Sequence, residues 1–316
     1  MATVSVCMIA YNHEKFIAQA IESILLQKTT HQIEIIIGDD CSTDLTKQII
    51  STYKEKYPEL LVVLPSEKNI GMIPNFIRTY ESSNGKYVAL LEGDDYWTDE
   101  LKLEKQINFL EQHPDFAICH HKIKFLDENK QTFKTSGVQK EITTIEDLAL
   151  DNNISTPSCV FRNKLFGEFP STIYNSAIGD YFLHMLNAQY GKIKFFNEAM
   201  SVYRIHNDGI WSNKSNLIRM SNWVKSLDLL IVNFEGKTKE NLMKNQAKYL
   251  YFIALEYKKG VDDEIFTSLF PQLPQSYFAV FNRIEELEFQ LKQTQLKYRI
   301  KNLVLKLLPK KSSHKS

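Results

Sequence analysis

Three carboxylates within four residues form the most distinctive chemical feature of this 316-residue sequence. An apolar run typical of a buried strand leads into Glu92, and Asp94 and Asp95 follow. Like charges this close repel one another, so the cluster is destabilising unless a cation neutralises it. Hard divalent ions such as Mg²⁺ and Mn²⁺ take oxygen ligands together with substrate phosphates. A solvated turn that caps the next helix would explain only one of these acids, so metal binding is favoured.

A second acidic turn, residues 38–44, follows another apolar run. Asp44 or Ser42 would serve to cap the next helix. That leaves Asp39 and Asp40 unexplained at the carboxyl end of a strand, where open α/β sheets bind their ligands. A carboxylate there can accept the imide N–H of uracil or thymine, a hydrogen bond worth roughly 1.5–3 kcal/mol. Base recognition is therefore favoured over capping alone.

The order and spacing of four motifs resemble the family 2 glycosyltransferases of the GT-A fold. The motifs are residues 4–12, 38–44, 69–71 and 92–95, and the resemblance covers residues 3–212. It implies an α/β fold with a Rossmann-like, mostly parallel sheet flanked by helices. It also implies a metal-dependent inverting transfer of a sugar from a nucleotide-sugar to a hydroxyl acceptor in polysaccharide, lipopolysaccharide or glycolipid synthesis. A UDP-sugar is favoured only through Asp40.

The same resemblance implies a donor site at the carboxyl edge of the sheet. The implied nucleotide-sugar contacts are Ala10, Tyr11, Asn12, Asp39, Asp40, Asn69, Gly71, Asp94 and Arg204. The implied ligands of a divalent metal, Mn²⁺ or Mg²⁺, are Glu92, Asp94, Asp95 and His206. Glu92 stands where the family's D-x-D pattern has an aspartate, and its longer arm makes Asp94 and Asp95 the stronger candidates.

Asp180 is the implied catalytic base, because residues 178–181 look like the helix start that carries this carboxylate in inverting members. It would take the proton of the acceptor hydroxyl while that oxygen attacks the anomeric carbon opposite the diphosphate. The alternative is that Asp180 only caps a helix. Without the resemblance, capping is the stronger interpretation. Residues 155–159 are expected to line the acceptor cleft.

A later segment, residues 203–212, also resembles a loop of the family. The resemblance implies that His206 ligates the metal or bonds the diphosphate, that Arg204 pairs with a phosphate, and that Trp211 stacks on a sugar face. A lone histidine is more often structural than functional, but after a motif of this kind the two roles are about equally common, so both interpretations of His206 stay open. No role is assigned to the other cluster, His113, His120 and His121, because its spacing does not suit a metal site.

Strands alternate with helices along the region that holds these motifs. Strands are predicted at residues 4–10, 33–38, 60–64, 87–91 and 200–205, and helices at 14–27, 44–57, 73–83, 99–112 and from 179 onward. Such alternation indicates a mostly parallel sheet covered by helices. The loops 11–13, 39–44, 66–71 and 92–97 should therefore converge. Residues 113–163 show a less regular pattern.

Helical patterns dominate the last third of the chain. We place a boundary between a GT-A domain, residues 1–215, and a helical C-terminal region, residues 216–316. From Lys292 to the end the chain carries eight Lys or Arg and no acid. This basic amphipathic tail suits peripheral contact with an anionic membrane. Self-association through a short coiled coil fits equally well.

Composition limits the partners and the compartment. Lys+Arg and Asp+Glu both number 38, so the charge gives no reason to expect nucleic-acid binding. The four cysteines show no CxxC and suit a reducing compartment. A signal peptide and an apolar stretch of the roughly 20 residues needed to span a membrane are absent. We expect a cytoplasmic protein, peripheral on the inner face of the membrane where the tail binds lipid. Its expected partners are a nucleotide-sugar and a carbohydrate or lipid-linked acceptor.

Two other functions use similar residues. Nucleotidyl transfer also needs a metal and carboxylates, but residues 11–14 offer no glycine-rich, basic loop to cradle a triphosphate. A catalytically idle carbohydrate- or nucleotide-binding module is the other alternative. The presence of Asp94, Asp95 and Asp180 argues against it.

Overall fold

Strands and helices alternate through residues 3–209 and 214–258, which are the residues that the computed structural model describes. The strands are β1 (Val4–Ala10), β2 (Ile33–Asp39), β3 (Leu61–Leu64), β4 (Tyr87–Leu90), β5 (Tyr96–Trp97), β6 (Phe116–Asp127), β7 (Thr132–Thr135), β8 (Ile142–Thr143), β9 (Val160–Arg162) and β10 (Lys192–Ile205). The α-helices are α1 (Ile17–Leu25), α2 (Thr46–Lys56), α3 (Met72–Glu81), α4 (Lys102–Gln112), α5 (Ile145–Leu150), α6 (Gly179–Ala188), α7 (Asn216–Ile231) and α8 (Gly236–Lys258). Two short 3₁₀ helices span Thr156–Ser158 and Ser171–Asn175.

One sheet joins these strands in the order β3-β2-β1-β4-β9-β6-β10-β5, with β7 beside β6 and β8 beside β10. Along this order β3, β2, β1, β4, β6 and β10 run in one direction, whereas β9 and β5 run against it. The predicted mostly parallel sheet is therefore confirmed. Ala10 pairs with Asp39 in the register of β1 and β2, so the ends of these two strands are level.

Helices cover both faces of the sheet because its central strands are buried on both sides. In β1, Val4, Val6 and Met8 belong to one hydrophobic cluster, and Cys7 belongs to another. The first cluster includes Ile17, Ile21 and Ile24 of α1 and Leu103 and Ile107 of α4. The second includes Ile73, Phe76 and Ile77 of α3 and Phe182, Leu183 and Met185 of α6. Two cores thus hold the strand ends at a fixed position.

The sequence pattern predicts the strands well up to residue 91 but not in residues 113–163. The strands predicted at residues 4–10, 33–38, 60–64 and 87–91 correspond to β1 to β4. The stretch 113–163, which showed no regular pattern, contains β6 to β9 and α5. β6 is buried along most of its length, yet it carries His120, His121 and Lys122, so its sequence is neither an apolar run nor an alternation.

The region after residue 216 begins with helices, as predicted. Trp223, Leu227 and Leu230 of α7 belong to the hydrophobic cluster that contains α6. Residues 1–250 form one compact unit, and the domain boundary near residue 216 stays a prediction. The basic tail from Lys292 lies outside the described residues. In the part of the chain that is described, no helix combines the length and the apolar content needed to cross a bilayer.

A buried lysine is the least expected member of the core. Lys102, at the start of α4, is fully buried, and its Nζ lies 4.1 Å from the centroid of the Trp97 ring. Within the described residues this Nζ has no hydrogen-bond partner. Burial lowers the pKa of Lys102 to about 7, because a charged ammonium is disfavoured away from water.

This lowered pKa predicts a pH-dependent stability. The ordinary pKa of lysine is about 10.4, so between pH 7 and pH 10 the unfolded chain holds this proton and the folded chain does not. Lys102 therefore lowers the free energy of unfolding by its full amount below about pH 7. This penalty shrinks as the pH rises across the window.

Lys102→Met should raise the melting temperature most at pH 6, and the difference from wild type should shrink as the pH approaches 10. Thermal unfolding followed by circular dichroism at several pH values measures this difference. Lys47→Met, at an exposed position of α2, is the control and should show no such trend. An equal difference at pH 6 and pH 10 for Lys102→Met would contradict the account.

Candidate active site

The loops after β1 and β2 are joined by hydrogen bonds between their side chains and backbones. Asn12 Oδ1 accepts the N–H of Thr43 (2.8 Å), and the N–H of Asn12 donates to Ser42 Oγ (3.0 Å). Asn12 and Cys41 have φ values of 56° and 61°, a left-handed conformation that non-glycine residues seldom adopt. These contacts confirm that the loops converge at the carboxyl edge of the sheet.

Asp39 and Asp40, the two acids of the second turn, both have partners within the protein. Asp39 is buried and accepts the hydroxyl of Ser42 at 2.5 Å. The two carboxylate oxygens of Asp40 accept the backbone N–H groups of Ile70 (2.8 Å) and Gly71 (2.9 Å). Asp40 thus ties the loop after β3 to the loop after β2. The predicted contacts of both acids with a nucleotide stay predictions.

The remaining donor residues predicted from sequence lie on the same edge. The carbonyl of Ala10 accepts the N–H of Asp40 (2.9 Å), and the Tyr11 side chain that follows is exposed. Asn69 Oδ1 accepts the N–H of Gly71 (3.0 Å). Gly71 has a φ of 91°, which favours glycine at this position. These residues form one continuous rim around the strand ends.

Glu92, Asp94 and Asp95 form a compact acidic loop directly after β4. One oxygen from each of them lies within 4.8 Å of the others. Burial, together with nearby Asp94 and Asp180, raises the pKa of Glu92 to about 8. Burial also raises the pKa of Asp95, with Asp94 and Glu92 adding to the effect. Ionisation of all three carboxyl groups is therefore unfavourable without a cation.

One oxygen of each aspartate is oriented by the protein, and the other is left bare. Asp94 Oδ2 lies 3.0 Å from His206 Nε2, and Asp95 Oδ1 accepts the backbone N–H of Arg204 (2.8 Å). Among the described residues, Asp94 Oδ1 and Asp95 Oδ2 are buried without any hydrogen-bond partner. Buried polar atoms are rarely left unsatisfied. These bare carboxylate oxygens suit a hard divalent cation.

Two histidines flank the acidic loop. His206 is nearly buried and its ring packs 4.8 Å from that of Phe16, while His13 Nε2 lies 3.8 Å from Asp94 Oδ2. Burial alone would raise the pKa of Asp94, but His13 and His206 reverse the direction and lower it. The sequence pattern indicated His206 and missed His13, although His13 lies within the predicted 11–13 loop. The role of His206 as a metal ligand stays a prediction.

Arg204 lies against the acidic loop with its guanidinium directed at protein groups. Nε donates to Glu128 Oε1 (2.8 Å), Nη1 donates to the carbonyl of Asp94 (2.5 Å), and Nη2 donates to Gln19 Oε1. The side chain is 4% exposed. Each of the three nitrogens thus already donates to an acceptor in the protein, and the predicted phosphate contact of Arg204 stays a prediction.

Asp180 lies in the first turn of α6 with both carboxylate oxygens oriented. Oδ2 accepts the hydroxyl of Thr156 (3.0 Å), and Oδ1 accepts the N–H of Tyr181 (2.7 Å). Burial raises the pKa of Asp180, and these two hydrogen bonds oppose the rise. The N-cap position of α6 is Ile178, so Asp180 is not the N-cap residue, although its bond to Tyr181 satisfies one N–H of the first turn. The role of Asp180 as catalytic base stays a prediction.

Two side-chain hydrogen bonds fix the turn that carries Thr156. Trp97 Nε1 donates to the carbonyl of Pro157 (3.0 Å), and Gln106 Nε2 donates to the carbonyl of Ser158 (2.9 Å). Thr156 and Glu92 line the same small cavity. Thr156 also donates to Asp180, and Asp180 is near enough to Glu92 to raise its pKa, so Asp180 lies close to the acidic loop. Trp211, the predicted sugar-stacking residue, lies outside the described residues.

Two solved structures share this arrangement of strands and helices. S. aureus TarS 1-349, in complex with UDP-GlcNAc, matches with a TM-score of 0.64 and 20% identity over 88% of this chain and 83% of that chain. The mannosyltransferase PcManGT of Pyrobaculum calidifontis, in complex with GDP-Man and Mn²⁺, matches with a TM-score of 0.57 and 16% identity over 89% of this chain and 84% of that chain. These likenesses confirm the expected GT-A fold.

Relatives in sequence agree with the fold. An uncharacterized protein of Mycobacterium tuberculosis is 36% identical over 211 residues, or 66% of this chain. The chain spans 60% of the length of that relative. TuaG of Bacillus subtilis, whose name assigns it to teichuronic acid biosynthesis as a glycosyltransferase, is 29% identical over 67% of this chain and 82% of its own length. The family model of glycosyl transferase family 2 matches residues 5–168, and the chain therefore belongs to that family.

Proposed function

We propose that this chain is a metal-dependent inverting glycosyltransferase that moves a sugar from a UDP-sugar to a hydroxyl acceptor. One observation carries the proposal. Two carboxylate oxygens without a hydrogen-bond partner among the described residues, on Asp94 and Asp95, belong to an acidic loop that lies near a separate oriented carboxylate, Asp180. The two aspartate oxygens suit the cation that accompanies a diphosphate, and Asp180 suits the role of proton acceptor.

The donor half of the cleft lies at the ends of β1, β2 and β4. Glu92, Asp94 and Asp95, with His206 beside them, would hold a divalent metal, which when bound would neutralise the departing diphosphate. Asp40 supports a uracil base, because each of its oxygens keeps a second lone pair beyond the backbone N–H that it accepts. TarS with UDP-GlcNAc and PcManGT with GDP-Man and Mn²⁺ support a nucleotide-sugar and a metal in general.

The acceptor half depends on Asp180. Its carboxylate would accept the proton of the acceptor hydroxyl while that oxygen forms a bond to the anomeric carbon and the bond from this carbon to the diphosphate breaks. Displacement in a single step inverts the configuration at that carbon. Thr156 and the N–H of Tyr181 hold the carboxylate in place. Burial strengthens it as a base by raising its pKa.

The acceptor that we propose is a growing surface polysaccharide, a lipopolysaccharide or a glycolipid. The likeness to TuaG, assigned to teichuronic acid biosynthesis, supports this class. A cytoplasmic enzyme that contacts the membrane through the basic tail would meet lipid-linked acceptors there. Self-association through the tail is the alternative that we retain, since the tail lies outside the described residues.

Recognition of uracil by Asp40 predicts that UDP binds more tightly than CDP. Cytosine is the matched control because it has the size of uracil but carries a ring-nitrogen acceptor in place of the imide donor. A charge-assisted hydrogen bond is worth about 1.5–3 kcal/mol, so the dissociation constants should differ by about ten- to a hundredfold. Calorimetric titration of each nucleotide with Mn²⁺ present measures both. Equal affinity for CDP would contradict the uracil contact.

Replacement of the proposed base, Asp180, should slow sugar transfer without weakening the binding of UDP. Asp180→Asn keeps the size and one acceptor oxygen, and its amide NH₂ can donate to the hydroxyl oxygen of Thr156. It cannot take a proton, so kcat should fall by about 10²–10⁴-fold. The affinity for UDP should stay within about twofold of wild type, because Asp180 does not touch the nucleotide. Release of UDP from the donor identified by screening UDP-sugars measures the rate, with the exposed Asp115→Asn as control. A fully active Asp180→Asn variant would refute the assignment.

A further inference from the structure

Arg204 occupies an unusual position for a basic residue next to a proposed phosphate site. Its side chain is 4% exposed, and the guanidinium carbon lies 4.9 Å from the ring centroid of Phe16 and 4.4 Å from that of Tyr96. Arginine stacks on aromatic faces in this way. Two rings and the end of β10 therefore enclose the guanidinium.

The nitrogens of Arg204 join three separate parts of the chain. They donate to Glu128 after β6, to the carbonyl of Asp94 in the acidic loop, and to Gln19 in α1. The backbone N–H of Glu128 donates to the carbonyl of Ile205 (3.0 Å), so this partner is fixed in turn. A planar fork with five N–H groups can reach acceptors in three directions, which the single ammonium of lysine cannot reproduce.

Arg204 holds the acidic loop at two adjacent points. Its Nη1 fixes the backbone of Asp94, and its own backbone N–H fixes Asp95 Oδ1. The oxygens left bare by this arrangement are Asp94 Oδ1 and Asp95 Oδ2. We infer that Arg204 is the positioning residue of the acidic loop: it aims these two oxygens at the divalent cation and does not bind the donor phosphates. This inference rests on the metal site of the proposed function.

The charge balance supports this role. Glu128 Oε1 lies 2.8 Å from Nε of Arg204, so a carboxylate outside the acidic loop compensates the positive charge. A buried ion pair adds little net stability but is strongly destabilising when one partner is lost. Groups that orient metal ligands in this way commonly change metal affinity by 10–100-fold when they are replaced.

Calorimetric titration of Mn²⁺ alone into wild type and Arg204→Lys tests the inference without any sugar donor. The variant keeps the positive charge but loses the planar guanidinium that donates in three directions. We therefore expect its Mn²⁺ affinity to fall by about 10–100-fold. Arg219→Lys, the same change on α7, is the matched control and should bind Mn²⁺ like wild type. Unchanged Mn²⁺ affinity in Arg204→Lys would overturn the inference.

A second titration separates positioning from phosphate binding. With chelator present, UDP should bind Arg204→Lys and wild type with affinities within about twofold of each other, because no phosphate contact is lost. Weaker metal-free binding of UDP, with Mn²⁺ affinity intact, would identify Arg204 as a phosphate ligand instead. Failure of wild type itself to bind Mn²⁺ would refute the metal site of the proposed function.

Folding of each variant is checked by near-ultraviolet circular dichroism. Should Arg204→Lys fail to fold, Glu128→Gln provides the test, because it keeps an acceptor and a similar shape while removing the compensating charge. We expect this variant to lose Mn²⁺ affinity severalfold. Mn²⁺ affinity equal to that of wild type in Glu128→Gln would overturn the inference.

Discussion

Mutual repulsion among carboxylates at the end of β4 is the constraint on which the rest of the site depends. Burial raises the pKa values of Glu92 and Asp95, whereas nearby His13 and His206 lower that of Asp94. The surrounding groups therefore offset part of the charge, and among the residues that the structure describes they leave two aspartate oxygens without a hydrogen-bond partner. A protein retains such an arrangement, which opposes folding, where a cation completes it.

The fold makes this arrangement possible by aligning several strand ends. Because β1, β2 and β4 are parallel neighbours, the loops that follow them meet at one edge and bond to each other. Packing behind the edge is close: a Cβ on Gly38 would lie 2.1 Å from Thr79 Oγ1. Such packing restrains the strand ends, and restraint of a site before binding reduces the ordering that binding requires.

The sequence predicts the parts of this site that depend on local pattern. Apolar runs located β1, β2 and β4, and the acids that follow β2 and β4 located the two acidic turns, because strand burial and loop chemistry both depend on neighbouring residues. It could not show that Arg204 bonds Gln19, 185 positions away, since that contact arises only when α1 and β10 pack together. β6 was not predicted for a local reason: its buried His120 and His121 interrupt the apolar run that would have indicated a strand.

The most direct test of the cation site is a crystal structure of the protein with Mn²⁺ and UDP, with anomalous data collected at the manganese edge. The account predicts an anomalous peak about 2.1 Å from both Asp94 Oδ1 and Asp95 Oδ2, the bare oxygens. It also predicts that the bond from Arg204 to the carbonyl of Asp94 is unchanged. A peak elsewhere, or no peak with UDP bound, would contradict the account.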